Sequence, residues 1–199
     1  MLQKLNIRHL TIYAKPSFLD RWLRPALILI LVVMTAAIIN IFLTNFVFTG
    51  LSIGTSAPNF LGQTLDGEQF NLSERQGQPV MLTFWSPDCF ACREELPALQ
   101  ALSTDPSADM QMITIVSQMD QADVVAFLAE QQLTFPVIVD ETGLIAKQYK
   151  VSGIPFTYFI DQNGKIDRAV MGAGREGELQ DQLFTWLRSC QIGEACSVE

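Results

Sequence analysis

Histidine occurs once in these 199 residues, cysteine four times, and charged side chains make up only 17% of the chain. Each scarcity excludes something. Four cysteines are too few for a miniprotein built on disulfides. The lone histidine, His9, cannot supply a zinc site built on imidazoles. Lysine and arginine total 13 against 21 acidic residues, a net charge of −8 with an isoelectric point near 4.6. That balance argues against a nucleic-acid backbone as partner. Low-complexity and disorder-type compositions are absent too. What is abundant is hydrophobicity: 49% of residues, with a mean hydropathy of +0.23. In so short a chain this points to a membrane segment rather than to an unusually apolar core.

The charge is unevenly spread. Residues 1–24 carry five basic side chains and one acidic one, a net of +4, and the remaining residues carry 8 and 20, a net of −12. No charged side chain occurs from Pro25 through Leu65, and Ala26–Phe48 is nearly all apolar. As a helix this stretch spans a hydrocarbon core of about 30 Å. It is too long for the h-region of a signal peptide and too uniformly apolar for an ordinary core helix. The expected organisation is a cytoplasmic tail (1–24), a transmembrane anchor (25–48), a linker (49–56), a soluble domain (57–188) and a C-terminal tail (189–199). Basic residues just before the span place the N-terminus in the cytoplasm, which puts the soluble domain in the periplasm or a corresponding extracytoplasmic space.

Within the soluble part, Leu65-Asp66-Gly67 marks a hairpin turn. Pro79–Trp85 reads as a buried strand, followed by a helix to about Leu102 that Ser86 or Asp88 would cap. Strands are expected at 112–117, 135–139, 157–160 and 166–171, the last two joined by the turn Asp161-Gln162-Asn163-Gly164. Helices are expected at 121–131, 144–149 and 176–188. That order defines an α/β sheet with a C-terminal hairpin and helix.

Cys89-Phe90-Ala91-Cys92 falls directly after the first buried strand, at the start of a helix. As half a zinc site it would need a second pair of ligands at suitable spacing. The other thiols, Cys190 and Cys196, lie about a hundred residues later. As a redox dithiol the placement has a mechanism. A thiolate at a helix N-terminus accepts orphan N–H groups and feels the positive end of the dipole. This lowers its pKa from about 8.5 toward ambient pH. Cys89 would attack, and Cys92, one turn deeper, would resolve the mixed disulfide. Asp88 opposes thiolate formation and Arg93 favours it.

These residues resemble the membrane-anchored thioredoxin-fold proteins of the TlpA/ResA type, within the AhpC/TSA-redoxin-like superfamily. The likeness runs from about Ala57 to Leu187. Ser56-Ala57-Pro58-Asn59-Phe60 resembles the family's entrance segment, and Leu72-Ser73 and Gly77-Gln78-Pro79-Val80 follow in the expected order. Thr83–Cys89 is similar to its strand and active-site loop, and Cys92-Arg93-Glu94-Glu95-Leu96-Pro97 to its C-x-x-E-x-P pattern. The resemblance implies a thioredoxin-like fold, a central mixed sheet flanked by helices. It makes Glu95 the acidic residue near the dithiol, Pro97 a kink in the active-site helix, and Pro155, in Gly153-Ile154-Pro155-Phe156, a cis-proline facing the dithiol. Trp85, Phe90, Ala91 and Ile154 would contact substrate. Thr83 stands where thioredoxins bury an aspartate, which shifts proton handling toward Glu95. Asp88 replaces the tryptophan common before the first cysteine.

The implied activity is that of a membrane-tethered thiol:disulfide oxidoreductase. Its substrate is a disulfide-containing protein, and its reductant a membrane electron donor of the thiol-disulfide transporter type. Beyond the Cys89–Cys92 redox disulfide no cofactor or metal is expected. Ile154 before the proline leans the assignment toward a reductase, a role that in this family often serves cytochrome c maturation. Cys190 and Cys196 are expected to form a structural disulfide, with a second redox couple as the alternative. Two rival functions remain. A peroxiredoxin-like peroxidase accounts for Ser86, but Leu82 holds the position of that family's proline. A copper- or haem-handling module would use the two thiols as soft ligands.

Overall fold

The computed structural model describes residues 18–46, 50–172 and 178–191, with side chains over 22–41, 50–172 and 181–187. The chain divides into two compact units, one ending at Val47 and one beginning at Phe48. The described residues of the first form one helix, α1 (Phe18–Phe46). It starts upstream of the apolar run and continues through Pro25. A proline removes one backbone hydrogen bond there without ending the helix. Its segment Trp22–Ile41 has a mean hydropathy of 2.3 over 20 residues, long and apolar enough to cross a membrane. Thr35 turns its hydroxyl back onto the carbonyls of Leu31 and Val32, both at 2.9 Å. A polar group in hydrocarbon has to be satisfied internally in this way.

The second unit is built on a five-stranded mixed sheet. After the small hairpin β1 (Leu61–Gln63) and β2 (Gln69–Asn71) come a 3₁₀ turn at Leu72–Arg75 and the central strand β3 (Val80–Trp85). Helix α2 (Phe90–Ser103), strand β4 (Gln111–Ser117), helix α3 (Gln121–Gln131), strand β5 (Val137–Asp140) and helix α4 (Leu144–Gln148) follow. Strands β6 (Phe156–Ile160) and β7 (Ile166–Met171) and helix α5 (Glu178–Gln191) complete it. The strand order is β5-β4-β3-β6-β7. Strands β3, β4 and β5 run parallel, and β6 and β7 pair antiparallel to their neighbours. This is the mixed sheet flanked by helices that the resemblance implies, with element ends shifted by at most three residues.

All six residues of β3 are buried, as expected for a central strand covered on both faces. Met81 and Trp85 pack with Cys92, Leu96 and Leu99 of α2, Val124 and Leu128 of α3, and Leu183 and Trp186 of α5. Val80, Leu82 and Phe84 point the other way, into a cluster with Phe60 and Phe70 of the first hairpin region and with Tyr149. Gly67 takes a φ of +93° in the hairpin turn, a conformation open to glycine at no steric cost.

Gly50–Ser56 differs from the linker expected there. The Leu51 N–H donates to the Tyr158 hydroxyl at 3.0 Å, and that hydroxyl donates to the Tyr149 carbonyl at 2.6 Å. The Gly54 N–H donates to the Ile166 carbonyl at 2.7 Å, the Ile166 N–H to the Thr55 carbonyl at 2.9 Å, and the Ala57 N–H to the Gly164 carbonyl at 2.8 Å. The segment is an outer lining of edge strand β7. Its small residues permit the approach: a Cβ at Gly50 would stand 2.8 Å from the Phe156 ring.

Candidate active site

The site begins where β3 ends. Ser86-Pro87-Asp88-Cys89 forms a turn closed by the Cys89 N–H on the Ser86 carbonyl at 3.1 Å. The Asp88 N–H donates to Ser86 Oγ at 3.3 Å. Ser86 and Asp88, the caps expected from the sequence, do not cap α2. The cap is Cys89 itself, with extended backbone and a sulfur that accepts from the Cys92 N–H at 3.1 Å. The Ser86 hydroxyl serves the turn instead, and Cys89 occupies the one position whose side chain reaches the N3 amide.

Cys89 and Cys92 are joined by a disulfide, with Cα atoms 5.2 Å apart. Cys89 is half-buried, whereas Cys92 is 1% exposed. An incoming thiolate or disulfide therefore reaches Cys89 first. Facing it is the loop ahead of β6, where the Ile154–Pro155 bond is cis, as the resemblance implies. The Ile154 carbonyl oxygen lies 3.7 Å from Cys89 Sγ. Pro155 is tied to the adjacent strand through its carbonyl, which accepts from the Gly172 N–H at 2.8 Å.

The other residues singled out fall in distinct places. Glu95 lies in α2, one turn beyond Cys92, and is buried at 8% exposure. Phe90 is the most exposed apolar side chain of the site, at 77%; Ile154 is exposed at 39%, and Ala91 is half-buried. Trp85, expected to touch substrate, is instead 2% exposed and packed against Phe127 and Phe135 at ring distances of 6.0 and 5.8 Å. It presents no surface to a partner, because strand alternation turns it under α2 and α3. Thr83 and Thr157 lie on that same inner face, at 0% and 2% exposure, with their hydroxyls 3.0 Å apart. A neutral hydrogen-bonded pair thus includes Thr83, the residue that the resemblance sets where thioredoxins bury an aspartate. Pro97 lies within α2 without ending it. The pairing expected of Cys190 and Cys196 lies outside the described residues.

The sequence singles out Arg93 but not the contacts it makes, and gives no sign of Met171. Arg93 Nε donates to the Pro87 carbonyl at 2.6 Å, and its guanidinium sits 5.4 Å from the centre of the Phe127 ring. Met171, half-exposed at the end of β7, is close enough to the facing loop that a Cβ at Gly153 would stand 3.3 Å from its sulfur. Only the side-chain directions set by the fold bring Arg93 to the turn and Met171 to the loop before β6.

A dithiol pair capping a helix after a central strand, opposite a cis-proline, defines a thioredoxin-like thiol–disulfide protein. The comparisons with known proteins agree and narrow it: the chain belongs to the AhpC/TSA family, whose sequence model matches residues 53–169. It is 31% identical over 169 residues to the thioredoxin-like protein YneN of Bacillus subtilis, covering 83% of this chain and 98% of that protein. It is 35% identical over 153 residues to the thiol-disulfide oxidoreductase ResA of Oceanobacillus iheyensis, covering 74% of this chain and 78% of that protein. The crystal structure of StoA from Bacillus subtilis matches with a TM-score of 0.56 at 28% identity, covering 62% of this chain and 95% of that one. The chain is a thiol-disulfide oxidoreductase.

Proposed function

We propose that this protein is a membrane-tethered reductase of disulfides in extracytoplasmic proteins, with cytochrome c maturation as the process served. The observation that carries the chemistry is the unequal exposure of the two sulfurs at the helix N-terminus. In the reduced protein, Cys89 thiolate attacks one sulfur of a substrate disulfide. A Cys89–substrate disulfide forms and the other substrate sulfur leaves as a thiolate. Cys92 thiolate then attacks Cys89 Sγ, restoring the Cys89–Cys92 disulfide and releasing the second substrate thiolate. Two electrons pass to the substrate, whose two sulfurs end as thiols.

The roles of the remaining residues follow from position. The Cys92 N–H at 3.1 Å stabilises negative charge on Cys89 as it forms. Glu95, buried one turn beyond Cys92, carries a proton to or from the resolving thiol. Backbone at Ile154, beside the cis Pro155, pairs with an extended substrate segment. Phe90 and Ile154 supply apolar contact, and Ala91 leaves the approach open. No cofactor is needed beyond the Cys89–Cys92 disulfide. A membrane electron donor of the thiol-disulfide transporter type returns it to the dithiol. The apolar helix with its basic flank supports a single-pass anchor with the N-terminus in the cytoplasm.

The test is trapping. A Cys92→Ser variant of the full chain, expressed in the cell, should accumulate mixed disulfides with extracytoplasmic proteins through Cys89, and Cys89→Ser should accumulate none. Absence of adducts in Cys92→Ser, or full activity in Cys89→Ser, refutes the assignment. A Cys89/Cys92 potential near −120 mV, rather than near thioredoxin's roughly −270 mV, would reverse the direction to disulfide donation.

A further inference from the structure

The turn that presents Cys89 is held from outside. It starts after Trp85 and ends at Cys89, and one aromatic ring of α3 lies against both flanks. Phe127 packs on Trp85 at 6.0 Å, before the turn, and beneath the Arg93 guanidinium at 5.4 Å, after it. From that seat Arg93 Nε reaches back over the turn to the Pro87 carbonyl at 2.6 Å. Pro87 is buried and its carbonyl accepts from this donor, although the Arg93 side chain is itself exposed. A charged donor makes a stronger bond than a neutral one, and a flat guanidinium on a ring face is oriented before it binds.

From this geometry we infer that Arg93, seated on Phe127, is a positioning residue for the nucleophile. It acts through the Pro87 carbonyl, which fixes the turn. The fixed turn places Cys89 Sγ against the Cys92 N–H, where a thiolate is stabilised. Without the clamp, the Pro87 peptide turns toward solvent and Cys89 leaves the cap position for part of the time. Reactivity then falls although both sulfurs remain. The charged side chains of the turn and the first helical turn are Asp88, Arg93, Glu94 and Glu95, and Asp123 and Glu130 lie on α3. The facing loop Val151–Pro155 carries none. The inference rests on Cys89 being the attacking thiol.

The experiment is the pH profile of alkylation of Cys89 by iodoacetamide in the reduced full-length protein in detergent, with the thermal midpoint measured on the same samples. Cys190 and Cys196 are replaced by serine throughout so that one exposed thiol reports. Arg93→Ala should slow alkylation at pH 7 by about three- to tenfold and move the profile to higher pH. Arg93→Lys, which keeps a charged donor, should recover at least half of the loss. Phe127→Leu, which keeps the arginine and removes its platform, should shift the profile in the same direction by less. An unmoved profile in Arg93→Ala, with only the thermal midpoint lowered, would show a merely structural residue and overturn the inference. If Arg93→Ala unfolds, an unmoved profile in both Arg93→Lys and Phe127→Leu overturns it equally. Failure of the underlying assignment reads differently: Cys89→Ser would leave the fast alkylation intact.

Discussion

The buried hydroxyl pair joining β3 and β6 offers a sharp test of how this interior is held together. Thr83 and Thr157 are register partners across β3 and β6, both essentially without solvent, and their oxygens are 3.0 Å apart. Thr83→Val or Thr157→Val alone leaves one buried hydroxyl without its partner, at a cost of about 1–3 kcal/mol. The added methyl contributes at most about 0.8 kcal/mol in return, so each single variant should lose about 1.5 kcal/mol. Replacing both removes the orphan and leaves two apolar groups of similar shape in contact, a change close to neutral. The double variant should therefore be more stable than either single one, with a coupling near 3 kcal/mol, at the top of the usual range for contacting residues. For a domain of this size each single loss corresponds to a fall of about 3–6 °C in thermal midpoint. Thermal and denaturant unfolding of the oxidised protein, followed by tryptophan fluorescence, would measure all four corners of the cycle. Additive losses, with the double variant the least stable of the set, would refute the reasoning.

Four further outcomes follow from the same structure. Burial raises the Asp167 carboxyl, a nearby Asp161 adds to that, and the hydrogen bond from Trp186 and the charge of Arg168 pull it down. A carboxyl raised in the fold keeps its proton while the unfolded chain loses one. Stability therefore falls as pH rises from the unfolded value through the folded one, and stays lower above it. Asp167→Asn, which keeps an acceptor for Trp186, should raise the thermal midpoint at pH 7 and leave it unchanged near pH 3. Desolvation also lifts the hydroxyls of Tyr149 and Tyr158 above their ordinary range, Tyr149 far above it. Absorbance titration should find both silent through pH 10, and stability should decline as pH rises beyond about 10, where unfolded tyrosines ionise. Phe90→Ala should leave the thermal midpoint nearly unchanged, since the ring is 77% exposed, yet slow reduction of a protein disulfide. Leu99→Ala, at 1% exposure, should cost about 2–5 kcal/mol through the cavity it leaves.

Much of this was legible in the chain because it is encoded locally. The apolar run PVMLTFW, the C-x-x-C after it and the Asp-Gly and Asn-Gly turns each report on a few neighbouring residues, and each fell within about three residues of its place. The buried place of Thr83 was legible only through the resemblance, which sets it where thioredoxins bury an aspartate. The failures share a different character. The resemblance makes Trp85 a contact residue, whereas its burial depends on which side of β3 α3 packs. The cap passed from Ser86 and Asp88 to Cys89 because the turn consumed the serine hydroxyl. Arg93 registered as a charge, but its bond to Pro87 exists only once Phe127, 34 residues on, supplies a surface. Gly50–Ser56 has the composition of a linker, and only the outward groups of β7 give it partners.

That last segment has a practical side. Edge strands invite pairing with other chains, and this protein covers part of its β7 edge with residues that precede the sheet. A protease that cut after Ser56 would free a fragment retaining every cysteine and the cis-proline. It would also strip the partners from both backbone groups of Ile166 and leave a template for self-association. The behaviour of a shortened form therefore depends on where the cut falls. Upstream of Gly50 it preserves the covered edge, and seven residues later it produces a fragment prone to aggregate.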